Sequence, residues 1–341
     1  MRKPKNILIF RDGLFGDSLL AIPALIELKN QYQDSKLTFL SIESKDFSRF
    51  RPEQAIDFTL IIDKFYHIRR IRFLKIINYF QLISVLFREI YRNDIIFILE
   101  SYKSNKLWIA KFFAVGFKSI IFSKNEIIND EPEWKSLYQL VAKQNKNSYL
   151  SEENQVISNV ISYLSKDIIL EDRSNYRIVL APYTNMSAKR YSLRSYIEIA
   201  LFIQSKFEVE FIIAGTKKEI SDNDFNLYKE NLDNYKILLD QPINKLFEIM
   251  LNSDLYIGND TGPMHLAALS GIELIVIYSA HNIPNRYLPI SNKLNILRSE
   301  IDCSPCFEKN CPIEQYPPCL KNIDKDQVID LANNIISKDI Y

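Results

Sequence analysis

The stretch Asp254-Leu-Tyr-Ile-Gly-Asn-Asp-Thr-Gly-Pro-Met-His-Leu-Ala-Ala-Leu-Ser-Gly271 decides the fold. Its first part, as far as Gly258, is a short apolar run typical of a buried strand, and a helical pattern begins at Pro263. Pro263 suits the first helical turn, where a missing N–H costs no hydrogen bond. Asp260 or Thr261 can cap that turn. A strand that runs through a glycine turn into a helix predicts a unit of a parallel α/β sheet.

The same alternation of strands and helices extends along the chain on both sides of this stretch. In the second half we predict strands at 176–180, 209–214, 236–239 and 274–278, with helices at 195–206, 222–231, 242–252 and 325–337. In the first half we predict strands at 6–10, 36–42, 58–62 and 95–99, with a helix over 18–31. The 341 residues suffice for two such domains.

The turn at residues 260–262 has the chemistry of an anion site. Backbone N–H groups of Thr261 and Gly262, at the start of a helix, would point towards a diphosphate and be assisted by the helix dipole. His265 lies one turn further and can face the same ligand. The alternative interpretation is a capped helix with a histidine in the core.

A second candidate lies near the start, in Arg11-Asp-Gly-Leu-Phe-Gly-Asp17. This is a glycine loop between a strand and a helix, with Asp17 at the helix N-terminus. Asp17 is either an N-cap, worth about 1 kcal/mol, or a general base that the helix N-terminus keeps ionised. The spacing does not decide between these roles, and both can coexist.

Charge divides the chain unevenly. Residues 1–124 contain 21 Lys+Arg against 12 Asp+Glu, although the whole chain has a net charge of only +1. Residues 64–92 combine seven basic residues with many aromatic and aliphatic ones, which indicates amphipathic helices or a surface that meets anionic lipid. No nucleic-acid-binding motif accompanies the charge. No secretory signal or membrane-spanning run is visible, so we expect a cytoplasmic protein, peripheral on the inner face of the cytoplasmic membrane.

All four cysteines of the chain fall in one short segment, at Cys303, Cys306, Cys311 and Cys319. Four thiolates suit a structural zinc or iron ion, although only the first spacing is typical of a metal site. Free thiols in a local structural knot are the alternative.

The chain resembles glycosyltransferase family 9, the lipopolysaccharide heptosyltransferases. The similarity rests on GDSLLAIPAL from Gly16, AKRYSLRSYIEIA from Ala188, AGTKKE from Ala214, the 254–271 stretch and the cysteine segment. It implies the GT-B fold, with two Rossmann-like domains facing each other across a cleft. We expect an acceptor domain with linker at 1–172, a nucleotide-sugar domain at 173–324 and a C-terminal helix at 325–341.

The resemblance also implies the chemistry. It places the catalytic base on Asp17, in the motif Gly16-Asp17, which would take the proton of the acceptor hydroxyl in a single inverting displacement. It places on Lys189 the cation that stabilises the departing ADP. On these residues no metal is required for catalysis.

The donor contacts follow from the same resemblance. Glu219 would hold the ribose hydroxyls, Gln241 the adenine, and Asp260 the sugar hydroxyls, while Thr261, Gly262 and His265 hold the phosphates. The implied partners are ADP-heptose and a lipid-linked anionic oligosaccharide, the inner core of a lipopolysaccharide or lipooligosaccharide. Glu219 near a helix start, or Lys189 on a solvated surface, would explain those residues without a ligand.

Three positions depart from the family pattern. Ser279-Ala280-His281 stands where the family usually has Gly-Pro-Thr, Tyr191 where it has tryptophan, and Glu100 where it has aspartate. Donor and acceptor identity are therefore open. The alternatives are a transferase for another nucleotide sugar or for a protein acceptor such as an autotransporter, and a non-catalytic protein that binds nucleotide sugars.

Overall fold

The structure, a computed structural model, describes residues 4–11, 15–42, 59–68, 84, 88, 92–99, 119–122, 131–144 and 152–340. The chain separates into two compact units, Met1–Val160 with Asn285–Leu288, and Ile161–Pro284 with Pro289–Tyr341. The division falls inside a helix, earlier than the predicted boundary after residue 172. The segment 285–288, which belongs to the first unit, has no counterpart in the prediction.

The first unit contains a parallel five-stranded sheet in the order β3-β2-β1-β4-β5. Its strands are β1 (Asn6–Phe10), β2 (Lys36–Ile42), β3 (Lys64–Ile68), β4 (Ile95–Ile98) and β5 (Ser119–Phe122). Its helices are α1 (Phe15–Leu19), α2 (Ile22–Gln31), α3 (Glu133–Ala142) and α4 (Glu153–Ser165), the last of which continues into the second unit. The central strand β1 is a run of buried apolar residues, as expected for a parallel sheet covered on both faces.

Two predictions for this unit were wrong. The third strand lies at Lys64–Ile68 and not at 58–62, so the beginning of the basic stretch is sheet and not helix. The chain joins the sheet only at Asp63, whose N–H donates to Leu37 O and whose carboxylate accepts from Leu37 N at 2.8 Å. The predicted helix over 18–31 is divided into α1 and α2.

The second unit contains a parallel six-stranded sheet in the order β11-β10-β9-β6-β7-β8. Its strands are β6 (Tyr176–Ala181), β7 (Val209–Gly215), β8 (Tyr235–Leu239), β9 (Leu255–Asn259), β10 (Glu273–Tyr278) and β11 (Leu294–Arg298). Its helices are α5 (Leu193–Lys206), α6 (Asp222–Asn231), α7 (Ile243–Leu251), α8 (Gly262–Ser270), α9 (Pro318–Lys321) and α10 (Lys325–Ile340). A short 3₁₀ helix covers Ser187–Lys189.

The C-terminal helix α10 is part of this second unit. Its buried residues Val328, Ala332 and Ile336 pack into the same core as Ile199 and Ile203 of α5. This apolar face is covered by α5, and the C-terminal helix predicted at 325–341 lies within the second compact unit.

Glycine 258 is required by packing inside β9. A Cβ at this position would lie 2.4 Å from the Tyr256 hydroxyl oxygen and 2.9 Å from the Ala181 Cβ. The strand therefore approaches β6 closely at the edge where the loops of the candidate site begin. None of the helices within the described ranges is both long and apolar enough to cross a membrane.

Candidate functional site

In each unit the strand order reverses once, and ligands of open α/β sheets bind outside the carboxyl ends of the strands at such a point. In the second unit the reversal lies between β6 and β9, since β7 and β8 follow on one side and β10 and β11 on the other. The loop after β6 carries Lys189, and the loop after β9 carries Asp260, Thr261 and Gly262. The topology thus brings most of the residues predicted to bind the sugar nucleotide to the point where the strand order reverses.

Lys189 and Asp260 form an ion pair at this reversal point. Lys189 Nζ lies 2.8 Å from Asp260 Oδ2 and also donates to the Asp260 carbonyl oxygen at 3.3 Å. The side chains are 12% and 5% exposed. An ammonium has three N–H donors, and these contacts take two of them. Lys189 is therefore held in place, and the contacts within the described residues leave one of its donors over.

Asn282, which was not predicted from the sequence, contacts the carboxylate of this ion pair. Its Nδ2 donates to Asp260 Oδ2 at 2.9 Å. Burial would raise the pKa of the Asp260 carboxyl, but the charge and hydrogen bond of Lys189, with the Asn282 amide, outweigh burial and lower it. Asp260 is thus an anion whose first role is to hold Lys189. Its predicted contact with sugar hydroxyls stays a prediction.

The N-terminal end of α8 lies in the same loop. Thr261 occupies the N-cap position, but its side chain makes no capping hydrogen bond, so the predicted side-chain cap was wrong. The hydroxyl donates instead to Asn259 O at 3.3 Å. Thr261 and Gly262 are partly exposed, which suits amides that would meet an anion. His265 is buried one turn further into the helix.

Glu219 and Gln241 lie at the carboxyl ends of β7 and β8. One oxygen of Glu219 accepts from Thr216 N at 3.1 Å and closes the turn after β7, while Ser221 and Asp224 form the capping box of α6. Gln241 donates to Leu239 O at 3.3 Å. Both side chains are partly exposed. Their positions are compatible with nucleoside contacts, which stay predictions.

A second residue that the sequence interpretation missed is Asn259, whose side chain is fully buried. Its amide donates to Pro182 O at 2.8 Å, and its oxygen accepts from Tyr191 N at 3.2 Å and from the Tyr196 hydroxyl at 3.1 Å. Asn259 therefore holds both ends of the loop that carries Lys189. The only signal in the sequence was a polar residue at the end of an apolar strand.

The segment after β10 departs from the family pattern and forms another part of the site. His281 is buried, its Nδ1 lies 2.9 Å from Glu308 O, and its ring meets Phe307 edge-on. Burial, and then the positive charge of Lys189, lower the pKa of His281. This histidine is therefore neutral near pH 7, and a second cation is not added beside Lys189.

The cysteine segment, residues 303–319, makes hydrogen bonds to two loops of this site. Ala280 O accepts from Cys306 N at 3.1 Å, and Ala280 N donates to Cys319 Sγ at 3.4 Å. Lys309 O accepts from Ala188 N, next to Lys189. Residues 303–319 thus fasten both the segment after β10 and the turn that carries the cation.

The four cysteines at 303, 306, 311 and 319 are free thiols in the structure. Within the ranges that the structure describes, no three side chains of the His, Cys, Asp or Glu type are arranged to hold a metal ion. Burial raises the pKa of the Cys319 thiol, and so do the charges of the other three cysteines. The zinc or iron site at these cysteines stays a prediction.

In the first unit the reversal lies between β1 and β4, and Asp17 is next to it. Asp17 lies in the first turn of α1, which begins at Phe15, so it is not the N-cap. Asp17 is partly exposed, and its carbonyl oxygen accepts two hydrogen bonds from the buried Arg11 side chain. Gly16 precedes it in the same short helix, and Gly13 lies outside the described residues.

Little of the predicted acceptor surface can be described. Glu100 and most of 64–92 lie outside the described residues. In the described part, Arg88 Nη2 donates to the Tyr66 hydroxyl at 3.0 Å, and Lys64 Nζ lies 4.5 Å from the centre of that ring. The predicted contact of this surface with anionic groups stays a prediction.

Comparisons with known proteins agree with this architecture. The chain is 24% identical over 342 residues to lipooligosaccharide heptosyltransferase 2 of Campylobacter jejuni subsp. jejuni serotype O:2, covering 97% of this chain and 98% of that protein. Its structure matches a glycosyltransferase family 9 protein of Veillonella parvula, with a TM-score of 0.70, 14% identity and coverage of 98% and 97%. It also matches ADP-heptose LPS heptosyltransferase II of E. coli, with a TM-score of 0.66, 15% identity and coverage of 99% and 100%. At these identities the structures show the fold, and the predicted α/β class with two Rossmann-like units of the GT-B type is confirmed.

The family model for glycosyltransferase family 9 (heptosyltransferase) matches residues 130–317, more than half of the chain. The matched region contains Lys189, Asp260 and the N-terminal end of α8. Since sheet order, ion pair and family model agree, the chain belongs to glycosyltransferase family 9 and is a glycosyltransferase.

Proposed function

We propose that the protein transfers a heptose from ADP-heptose to the inner core of a lipopolysaccharide or lipooligosaccharide acceptor, with inversion at the anomeric carbon. The observation that carries this proposal is the Lys189–Asp260 ion pair beside the N-terminal end of α8, at the strand-order reversal of the second sheet. This is a cation and a helix N-terminus in the loops where α/β folds bind nucleotides.

The donor diphosphate would lie against Lys189 and the amides of Thr261 and Gly262, with His265 nearby. Because Asp260 holds the Lys189 ammonium and Asn282 holds the Asp260 carboxylate, little reorganisation is needed when negative charge grows on the leaving ADP. Glu219 would bind the ribose with the carboxylate oxygen that Thr216 does not occupy, and Gln241 would contact the adenine.

Asp17 would act as the base. The acceptor hydroxyl oxygen attacks the anomeric carbon, the bond from that carbon to the diphosphate oxygen breaks, and the hydroxyl proton passes to the Asp17 carboxylate. ADP leaves with the bonding electron pair. One displacement inverts the anomeric centre. No divalent cation is required in this scheme, because Lys189 and the helix N-terminus stabilise the leaving group.

The acceptor class is supported by the names of the relatives, which include lipooligosaccharide heptosyltransferase 2 of C. jejuni and an LPS heptosyltransferase of E. coli. The basic and aromatic residues 64–92 would meet an anionic lipid-linked oligosaccharide at the inner face of the cytoplasmic membrane. The structural zinc or iron at the cysteine segment is a separate proposal, tested by metal analysis of the purified protein.

The test is transfer by the purified full chain from ADP-heptose, with UDP- and GDP-sugars in parallel and a heptose-deficient lipooligosaccharide as acceptor. We expect product only with ADP-heptose. Asp17→Asn should lower kcat by about 10²–10⁴-fold, the usual range for loss of a general base, with the Kd for ADP within twofold of wild type.

The other outcomes identify the alternatives. Turnover with a different nucleotide sugar, or with a protein acceptor only, would refute the heptose or the acceptor assignment. Donor binding without turnover on any acceptor would indicate a non-catalytic binding protein. Full activity of Asp17→Asn would refute the base assignment while leaving the donor assignment intact.

A further inference from the structure

A buried arginine contacts the backbone of the proposed base. Arg11 follows β1 directly and is 2% exposed. Its Nε and Nη2 both donate to the Asp17 carbonyl oxygen, at 3.1 and 2.6 Å, and its Nη1 donates to Leu99 O at 2.6 Å. One planar guanidinium therefore joins α1 to the residue after β4.

The Asp17 carbonyl needs such a donor because α1 is short. In a continuing helix the Ala21 N–H would bond Asp17 O, but it donates to Ser18 O at 3.1 Å. The Arg11 side chain thus supplies hydrogen bonds that the broken helix does not, at the residue that carries the proposed base.

The cost of burying this cation is offset by Glu133. Its Oε1 lies 2.7 Å from Arg11 Nη2, and its Oε2 lies 3.4 Å from Arg286 Nε. Well-packed apolar residues often stabilise a fold as well as a buried ion pair does, so stability alone does not explain Arg11. Its contacts are directional and act on the Asp17 peptide.

We propose that Arg11 is a positioning residue, which holds the Asp17 backbone so that the carboxylate meets the acceptor hydroxyl. The proposal rests on the proposed function. A displacement of about 1 Å at a reacting group can lower a rate by about 10²-fold. Arg11 does not touch the reacting atoms, and it acts through Asp17. Glu133 fixes the orientation of the guanidinium.

The test is a double-mutant cycle on kcat with Arg11→Met, Asp17→Asn and the double variant of the full chain. Arg11→Met should lower kcat by about 30–100-fold and leave the Kd for ADP-heptose within twofold. In the Asp17→Asn background the same change should have little further effect, within about twofold. A merely structural role would lower kcat by the same factor in both backgrounds, and that additivity would overturn the proposal.

A second substitution guards against misfolding. Arg11→Lys keeps a charge for Glu133 but cannot fork between three acceptors, so we expect an intermediate loss of kcat that also disappears in the Asp17→Asn background. Arg177→Met is the matched control. Arg177 is also largely buried, pairs with Glu210 at 2.7 Å and donates to Asn252 O, but it lies at the start of β6 in the second unit. It should retain wild-type kcat.

The outcomes separate the two proposals. A wild-type protein without transfer activity refutes both of them. Wild-type turnover with an additive cycle, or Arg11→Met with unchanged kcat, refutes only the role of Arg11.

Discussion

The two sheets share one topological feature and use it differently. Each reverses its strand order at a central pair, β1 with β4 in the first unit and β6 with β9 in the second, and each has a buried or nearly buried ion pair there. In the first, Arg11 donates to the carbonyls of Asp17 and Leu99. In the second, Lys189 lies beside a helix N-terminus with a donor to spare. The same location can therefore fix a backbone or offer a charge to a ligand.

The chemical difference between the two cations explains this division. A guanidinium has five N–H donors in a rigid plane and suits several fixed acceptors, whereas an ammonium is a compact charge that can turn towards a phosphate. The neutral Asn259 performs in the second unit the structural task that Arg11 performs in the first, because it connects Pro182, Tyr191 and Tyr196.

Of the predictions that test this comparison, the largest effect is expected from removing Lys189, the cation that we propose faces the diphosphate. Lys189→Met should lower kcat/KM for ADP-heptose by about 10²-fold, since a donor aimed at developing charge contributes that much. Steady-state kinetics measure it. Lys236→Met is the matched control in the same unit, because Lys236 pairs with Glu210 at 2.6 Å but is 60% exposed. If kcat/KM of the Lys189→Met protein were within twofold of the wild-type value, the proposed difference between the cations of the two sheets would be contradicted.

A smaller effect, on stability, should follow from removing the side chain of Asn259. Asn259→Ala leaves the Tyr191 amide and the Tyr196 hydroxyl without their acceptor, so the free energy of unfolding should fall by about 2–3 kcal/mol. Urea unfolding measures this change. Asn223→Ala, at an exposed position of α6, should stay within about 0.5 kcal/mol of wild type. Equal losses in the two variants would mean that Asn259 does not hold the Lys189 loop.

The smallest expected effect is on the pH dependence of the free energy of unfolding, through His281 in the second unit. The pKa of His281 is lowered from 6.5 by burial and then by Lys189. A group with a lowered pKa in the folded state contributes stability above its unfolded pKa and loses it as pH falls through the folded pKa. The free energy of unfolding should therefore decline as pH drops below 6.5. His281→Gln should flatten this part of the profile. A profile that is unchanged by the substitution would contradict a buried neutral imidazole.

The regular elements followed closely from local sequence, with particular exceptions. Runs such as 176–180 and 274–278 are apolar and bounded by turns, and they are strands. The third strand was predicted at 58–62 and lies at Lys64–Ile68, because the charged and aromatic residues of this segment suit a strand or a helix and pairing with β2 decides the matter. The break between α1 and α2 was missed although Pro23, a residue that cannot continue a helical hydrogen-bond ladder, lies at the start of α2.

The candidate site shows the same limit. Lys189, Asp260 and Thr261 could be named from the sequence, because a motif records residue types in order. Asn282 and Asn259 could not be named in this way. The strand order brings Asn282 to Asp260 and Asn259 to the Lys189 loop, and the neighbouring sequence does not record either contact. The unused side-chain cap at Thr261 is likewise a local rule that the tertiary environment overrides.

By itself, the sequence determined the alternation of strands and helices, the parallel α/β class and the chemical types of the candidate site residues, because periodicity and turn residues are local properties. The tertiary structure alone decided which charges pair, since strand order places Lys189 against Asp260 and Arg11 against Glu133 across long sequence separations. Burial then distinguishes the two cations, since the Arg11 side chain is 2% exposed and the side chain of Lys189, which we propose faces the diphosphate, is 12% exposed.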